Sequence, residues 1–202
     1  MNIKEETNNA LVYLSHWWGL HKPGYAGIAI KQDGTVIQFV NDFQAGDKIM
    51  KVGTLNQEDL DSIKKYLIDE ENILESVYAE PSVFDAGTTI EVNIDGKTRK
   101  IKNESSSYSS DREERIYDRL LKKITNMVFS KFINKAKEIF NDNENEYSAK
   151  EFIEGKAVLV WQPGKRGSAS VIIDKNDLSY LVVLSNTAPE TVKQDFIDGK
   201  RS

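Results

Sequence analysis

The sequence predicts an α+β protein of two small antiparallel-sheet units with packed helices, linked by a long helix. Three observations carry this expectation. The order helix, hairpin, helix, hairpin is legible in the first half. Residues 116–140 keep a three-to-four apolar spacing without Gly or Pro. Three short apolar runs separated by turn residues then precede a last helix. Elements in this order imply helices laid on one face of an antiparallel sheet. The expected units are residues 1–115 and 116–202.

The opening "IKEETNNALVYLSHWW" reads as a helix, because Leu11, Leu14 and Trp18 recur at helical spacing, and "GLHKPG" ends it. "YAGIAIK" and "TVIQFV" flank Asp33-Gly34, a pair that supplies the positive φ angles of a tight hairpin turn. "TLNQEDLDSIKKYLIDEENIL" starts a helix: Asn56 caps it, Glu58 and Asp59 meet the positive end of its dipole, and Leu55 staples onto Leu60. Leu60, Ile63, Leu67 and Leu74 continue one face, with a break marked at "DEEN". After Pro81, "TTIEVNI", Asp95-Gly96 and "KTRKIK" repeat the hairpin design.

"NESSSYSSDREER" (103–115) is polar, dense in serine and without apolar periodicity, so it reads as a mobile loop or linker. From 116 to 140, Tyr117, Leu121, Ile124, Val128, Phe132, Ala136 and Ile139 mark one continuous helix or a helix with a single break, which "NDNENE" ends. "KAVLVWQ", "SASVIID" and "SYLVVLS" follow as strands. Thr187 and Glu190 form a capping box for the last helix, and Gly199 stands where its C-cap belongs.

Composition narrows the function classes. Apolar residues make up 39% of the 202 and charged residues 29%, the balance of a globular protein with a real core. No run approaches the roughly 20 apolar residues that span a bilayer, so no membrane partner is expected. The start, "MNIKEETNNALVYL", lacks the basic flank and small-residue site of a signal peptide. With no cysteine there is no disulfide, thiol nucleophile or cysteine-bound zinc, and the expected compartment is a reducing cytoplasm.

The net charge of −5 sits wholly in the first half. Residues 1–102 hold 11 Lys/Arg against 16 Asp/Glu, whereas residues 103–202 hold 16 of each. Within 54–95 only Lys64 and Lys65 face 11 acids. Such a stretch repels phosphate backbones and attracts basic partners, over about 8–10 Å at physiological salt. The expected partner is a basic protein, not a nucleic acid.

Catalytic patterns fail one after another. His16 and His21 are five residues apart across a glycine, so they do not share a helix face as a zinc-binding HExxH does. In "HWWGLHKPGY" the tryptophans are expected to pack inward while the histidines edge the turn, with a partner-binding corner as the alternative. "DNENEYSAKEFI" offers Asp142, Glu144 and Glu146, but a calcium loop needs Gly at its sixth place and Glu at its twelfth, where Tyr147 and Ile153 stand. "QPGKRGS" sets Lys165 and Arg166 in a basic hairpin loop, and the Walker, GxGxxG and GxSxG patterns are missing. No catalytic residue, metal or cofactor is expected.

Two resemblances point one way. "GYAGIAIKQDG…TLNQEDLDSIKKYL…FDAGTTIEVNIDGK", across roughly residues 20–102, resembles the emfourin-type small protease inhibitors in its order of glycine-led hairpin, capped helix and strand. "AVLVWQPGKRGSASVIIDKNDLSYLVVLSNTAPETVKQDFIDGKRS" is similar to the C-terminal portions of bacterial immunity proteins that accompany polymorphic toxins. Both imply a stoichiometric, non-enzymatic binder that blocks a toxin or other enzyme. The alternatives are a small hydrolase or nucleotide-acting enzyme with a site between the two units, or a phage-derived adaptor. The candidate partner residues are Glu58, Asp59, Asp61, Asp69, Glu70, Glu71 and Glu75, of which only those opposite Leu60, Ile63, Leu67 and Leu74 can face outward. Trp17, Trp18 or Tyr25 is expected to supply the apolar anchor.

Overall fold

The computed structural model describes residues 2–18, 24–42, 46–74, 86–104, 112–153, 155–162, 169–183 and 189–200. Among them are five α-helices and two antiparallel sheets, of six and four strands, so the α+β class is as expected. The chain divides into two compact units, Met1–Ile124 and Thr125–Ser202.

The first unit begins with α1 (Ile3–Glu6), capped by the Asn2 side chain, which accepts from the Lys4 N–H. The opening helix ends there. Residues Val12–Trp18 form strand β1, which overturns the expected helix over "ALVYLSHWW". The physical reason is position in the sheet. β1 pairs with β2 (Gly24–Ile30) on one side and β5 (Ala86–Ile94) on the other, so it is central. With both edges paired, β1 buries Val12, Leu14 and Ser15 without clean alternation, and the apolar positions Leu11, Leu14 and Trp18 imitate helical spacing.

β3 (Thr35–Asp42) completes the first hairpin with Ile30 opposite Val36. Its turn differs from the expected two-residue form. Gly34 alone takes a positive φ (82°), Lys31 N–H donates to the Thr35 carbonyl, and the Gly34 N–H donates to the Lys31 carbonyl, giving a three-residue loop. The Leu55 N–H donates to the Gly34 carbonyl at 2.9 Å, so this turn holds the residue just before the next helix. β4 (Gly46–Thr54), whose sequence carries no clear strand pattern, pairs with β3 as an edge strand.

α2 (Gln57–Lys65) starts as predicted: the Asn56 side chain accepts from the Asp59 N–H, and Leu55 and Leu60 are both buried. It runs on as a π-helical turn (Tyr66–Glu70) and stops at Asn72, whose φ of 47° is left-handed. β5 and β6 (Lys97–Glu104) form the second hairpin across Asp95 (φ 50°) and Gly96 (φ 80°), the two-residue turn that the sequence predicts. The sheet order is β4-β3-β2-β1-β5-β6. Leu14, Ile28, Ile30, Val36, Ile90 and Val92 are all buried, as are Leu60, Ile63 and Leu67 of α2 and its π turn.

Of the expected 103–115 linker, residues 103–104 close β6, residues 112–115 open a helix, and 105–111 lie outside the described residues. The long helical signal is α3 (Arg112–Val128) and α4 (Ser130–Phe140), broken once at Phe129. Asn141, left-handed at φ 48°, ends α4: its N–H donates to the Glu138 carbonyl and that of Asp142 to the Lys137 carbonyl.

In the second unit β7 (Ser148–Phe152), β8 (Ala157–Trp161), β9 (Ser170–Asp174) and β10 (Tyr180–Val183) form a meander in the order β10-β9-β8-β7. The last three are the predicted strands. β7 was not expected. α5 (Pro189–Ile197) brings Val192 and Phe196 onto Ala157 and Ile172. The alternate residues Val158, Val160, Val171 and Ile173 are fully buried on the other face, so β8 and β9 are apolar runs rather than alternating ones. Gly199 (φ 78°) ends α5 as predicted, with the Lys200 N–H donating to the Asp195 carbonyl. The Thr187–Glu190 capping box falls outside what is described, since Thr187 and the Glu190 side chain are not covered.

Candidate functional site

The acidic stretch folds mainly as α2 and its π turn. Because Leu60, Ile63 and Leu67 point inward, Glu58, Asp61, Asp69 and Glu70 are exposed and Asp59 is half-exposed. Asp61 accepts from the Gln57 amide at 2.9 Å, which fixes its carboxylate one turn from the helix start. Lys65 is exposed among them, and four carboxylates against one ammonium leave this side strongly negative.

Glu71 departs from its expected role. It is 4% exposed, and its carboxylate takes both arms of the Arg119 guanidinium, at 2.8 Å from Nε and 2.7 Å from Nη2. Tyr66 Oη donates to the same carboxylate, and Arg119 Nε also reaches Tyr66 Oη at 3.3 Å. Lys123 Nζ stands 4.9 Å over the Tyr66 ring. Burial raises the Tyr66 pKa, and the Glu71 carboxylate beside Arg119 raises that of the guanidinium. Glu71 is therefore a structural clamp between the π turn and α3, and no partner can reach it. The signal was in the spacing: Glu71 lies four residues after Leu67, on the inward stripe, where a carboxylate requires a cation. Glu75 lies outside the described residues.

The aromatic candidates are divided between the two faces of the sheet. Trp17 sits directly across from Tyr25, whose ring packs edge-on against Phe39 at 6.2 Å. Trp18 lies on the opposite face with His16, ring centroids 6.2 Å apart, and its indole covers Gly24, where a Cβ would come within 2.9 Å of it. His16 is exposed on a strand rather than at a helix end, and His21 lies outside the described residues. Trp17, Trp18 and Tyr25 gather at the Gly24 end of β2, whereas α2 begins against Gly34 beyond its other end. They do not adjoin the start of the acidic helix.

The face that carries Trp17 and Tyr25 also holds a groove of about 400 Å³ beside α1. Its floor is Tyr13, Ser15, Tyr25 and Thr89, with the Glu91–Lys100 ion pair at its side and Ile3 in its wall. The Ile3 N–H donates to Asp47 Oδ2 at 3.0 Å, fastening α1 to β4 and lowering the Asp47 pKa. Burial raises the pKa of Tyr13 and of Tyr25.

In the second unit the oxygen-rich loop holds its own hydrogen bonds. Asp142 Oδ2 accepts from the Asn145 and Gln162 amides, each at 2.6 Å, and hydrogen bonding, led by Asn145, lowers its pKa to about 2. Glu151 is fully buried and bound by Lys175 Nζ at 2.8 and 2.9 Å, and desolvation raises its pKa. Lys165 and Arg166 fall outside the described residues. Among the described residues no group of three or more His, Asp or Glu is placed to hold a metal, and no helix is long and apolar enough to cross a membrane. The chain matches no protein-family model, and no curated protein matches it.

Proposed function

We propose that the protein is a non-enzymatic binder, an immunity-type inhibitor that neutralises a basic bacterial toxin in the cytoplasm by direct contact. The observation that carries this reading is the outward side of α2 and its π turn, where Glu58, Asp61, Asp69 and Glu70 stand exposed. A surface of one sign steers an oppositely charged protein. It raises association from a neutral ~10⁵–10⁶ M⁻¹s⁻¹ toward ~10⁸–10⁹ M⁻¹s⁻¹ at low salt. The bidentate Glu71–Arg119 pair supports the same reading, since it fixes the backbone beneath Asp69 and Glu70 before any partner arrives.

The test begins with affinity capture of the partner, followed by association rates at low and high salt. An Asp69→Lys/Glu70→Lys variant is expected to associate at least tenfold more slowly at low salt and to lose most of the salt dependence. Equal rates for the two proteins at every salt concentration would remove the acidic face from the mechanism.

The groove beside α1 favours a second reading, a receptor or enzyme for a small polar molecule. Its volume of about 400 Å³ falls within the range of ligand pockets, and hydroxyls, a carboxylate and an ammonium converge on it. A metabolite screen that raised the unfolding temperature, with the gain lost in Tyr13→Phe/Glu91→Gln, would move the assignment there.

A further inference from the structure

The π turn does more than extend α2. A π-helical turn spreads the same arc over more residues than an α-helical one, so side chains beyond it are rotated out of the helical phase. Here Ile68, adjacent in sequence to the fully buried Leu67, is 42% exposed and is followed directly by the exposed Asp69 and Glu70. A single exposed aliphatic residue is ordinary on a protein surface; what distinguishes Ile68 is the cleft it borders. This cleft, of about 210 Å³, is lined by Ile68, Asn72 and Leu74 on one side and Ile94, Asp95 and Lys97 of the β5–β6 turn on the other.

The size of this cleft decides what it can take. Pockets for small molecules run from about 300 to 1,000 Å³, so this one is too small for them but has room for one apolar side chain. Its apolar lining is Ile68, Leu74 and Ile94, and its rim carries Asp95, with Asp69 and Glu70 on the adjoining turn, against Lys97 as the one cation among the described lining residues. A second copy of this chain would bring its own net charge of −5 to that rim and be repelled. A basic segment would be attracted.

We propose that the cleft between the π turn and the β5–β6 turn receives one aliphatic side chain of a basic partner segment, whose flanking lysines or arginines meet Asp69, Glu70 and Asp95. This rests on the reading of the acidic face as a partner surface, and it places the apolar anchor at Ile68 rather than at the tryptophans. Burying one aliphatic side chain in a preformed cleft is how interfaces concentrate their affinity, while the charged rim sets the encounter rate. The Glu71–Arg119–Tyr66 clamp fixes the chain at Glu71, next to Asn72 of the cleft lining.

The experiment uses the full chain with labelled Ile and Leu methyl groups. Two acetylated, amidated pentapeptides are titrated: Lys-Lys-Leu-Lys-Lys, and its counterpart with Ala at the centre. The expected result is a shift of the Ile68, Leu74 and Ile94 methyl signals by the leucine peptide, with the alanine peptide binding about tenfold more weakly or less. Ile68→Gln, at an exposed position and so expected to fold normally, should bring both peptides to the same weak affinity. Equal binding of the two peptides by the unaltered protein overturns the cleft. So does a set of shifts centred elsewhere, or a self-association that Ile68→Gln abolishes, which would make the occupant a second copy. Any of these leaves the acidic face standing if association with the captured partner still falls with salt, so the two readings fail separately.

Discussion

Gly27 shows how far one missing side chain can determine a surface. A Cβ at this position would lie 2.0 Å from the Leu14 carbonyl oxygen and 2.6 Å from Phe39. Its absence lets Phe39 of β3 reach across β2 and stack on Tyr13 of β1, with ring centroids 5.2 Å apart. Gly27→Ala must displace backbone as well as ring, and is expected to lower stability by about 3 kcal/mol, read as a fall in the urea midpoint without a change in slope. Glu71 presents the converse case, a polar group buried because its partner is in place. Arg119→Met leaves that carboxylate without its guanidinium and is expected to cost about 1.5–3 kcal/mol, toward the lower end because half of Arg119 faces water. A near-normal midpoint in Arg119→Met would show that the clamp holds nothing. Glu151 gives a pH signature. Desolvation raises its folded pKa above the ordinary 4.5, so the folded state holds the proton more tightly than the unfolded chain. Its contribution to stability therefore diminishes as pH rises from 4.5 through the raised value. Glu151→Gln should flatten that part of the stability profile. A profile that keeps its full slope in the variant would assign the dependence to another group.

Elements differ in how openly their sequences declare them, and the differences have physical causes. Asp95-Gly96, the Asn56 cap and Gly199 were legible because each is a local solution to a local problem: a residue at positive φ, or an N–H that needs an acceptor. β1 was not, because the apolar residues Leu11, Leu14 and Trp18 fall at helical spacing, while its pairing with β2 and β5 is a long-range fact that no local pattern carries. β4 was hidden for the opposite reason. "GDKIMKVGT" is an edge strand, mostly exposed over its first half, and nothing in its pattern distinguishes a solvated strand from a loop. β7 is short, and its inward positions are Ala149 and Glu151, the second of which no periodicity count scores as core. The π turn was half legible. The sequence marks a break at "DEEN", but not the contact that holds it, since Arg119 grips Glu71 from 48 residues further along the chain. The site inherits that limit: charge can be counted in a sequence, whereas a cleft between two turns requires the fold.

For the molecule as a whole, the charge asymmetry acquires a location. Of the acids crowded into residues 54–95, those on α2 and its π turn form the exposed face, and Glu71 is withdrawn to hold the π turn. The position of β1 has a consequence of another kind, for the order in which the chain can fold. β1 is the first strand to be synthesised and also the middle of the sheet, and its two neighbours arrive far apart in time. β2, β3 and β4 follow by short connections and can pair at once, but β5 ends only at Ile94, 40 residues after β4 ends at Thr54. At about 5–20 residues per second, the β1 edge that will receive β5 stays open for roughly 2–8 s on a ribosome. An open edge rich in aromatic and aliphatic residues is a template for pairing with another nascent chain. A chain stopped after residue 54 is accordingly expected to aggregate, whereas one stopped after residue 104 is expected to form far less insoluble material, an outcome that sedimentation of the two expressed fragments would decide. Delay between neighbours, rather than weakness of any contact, is the point at which this protein is most exposed to misassembly.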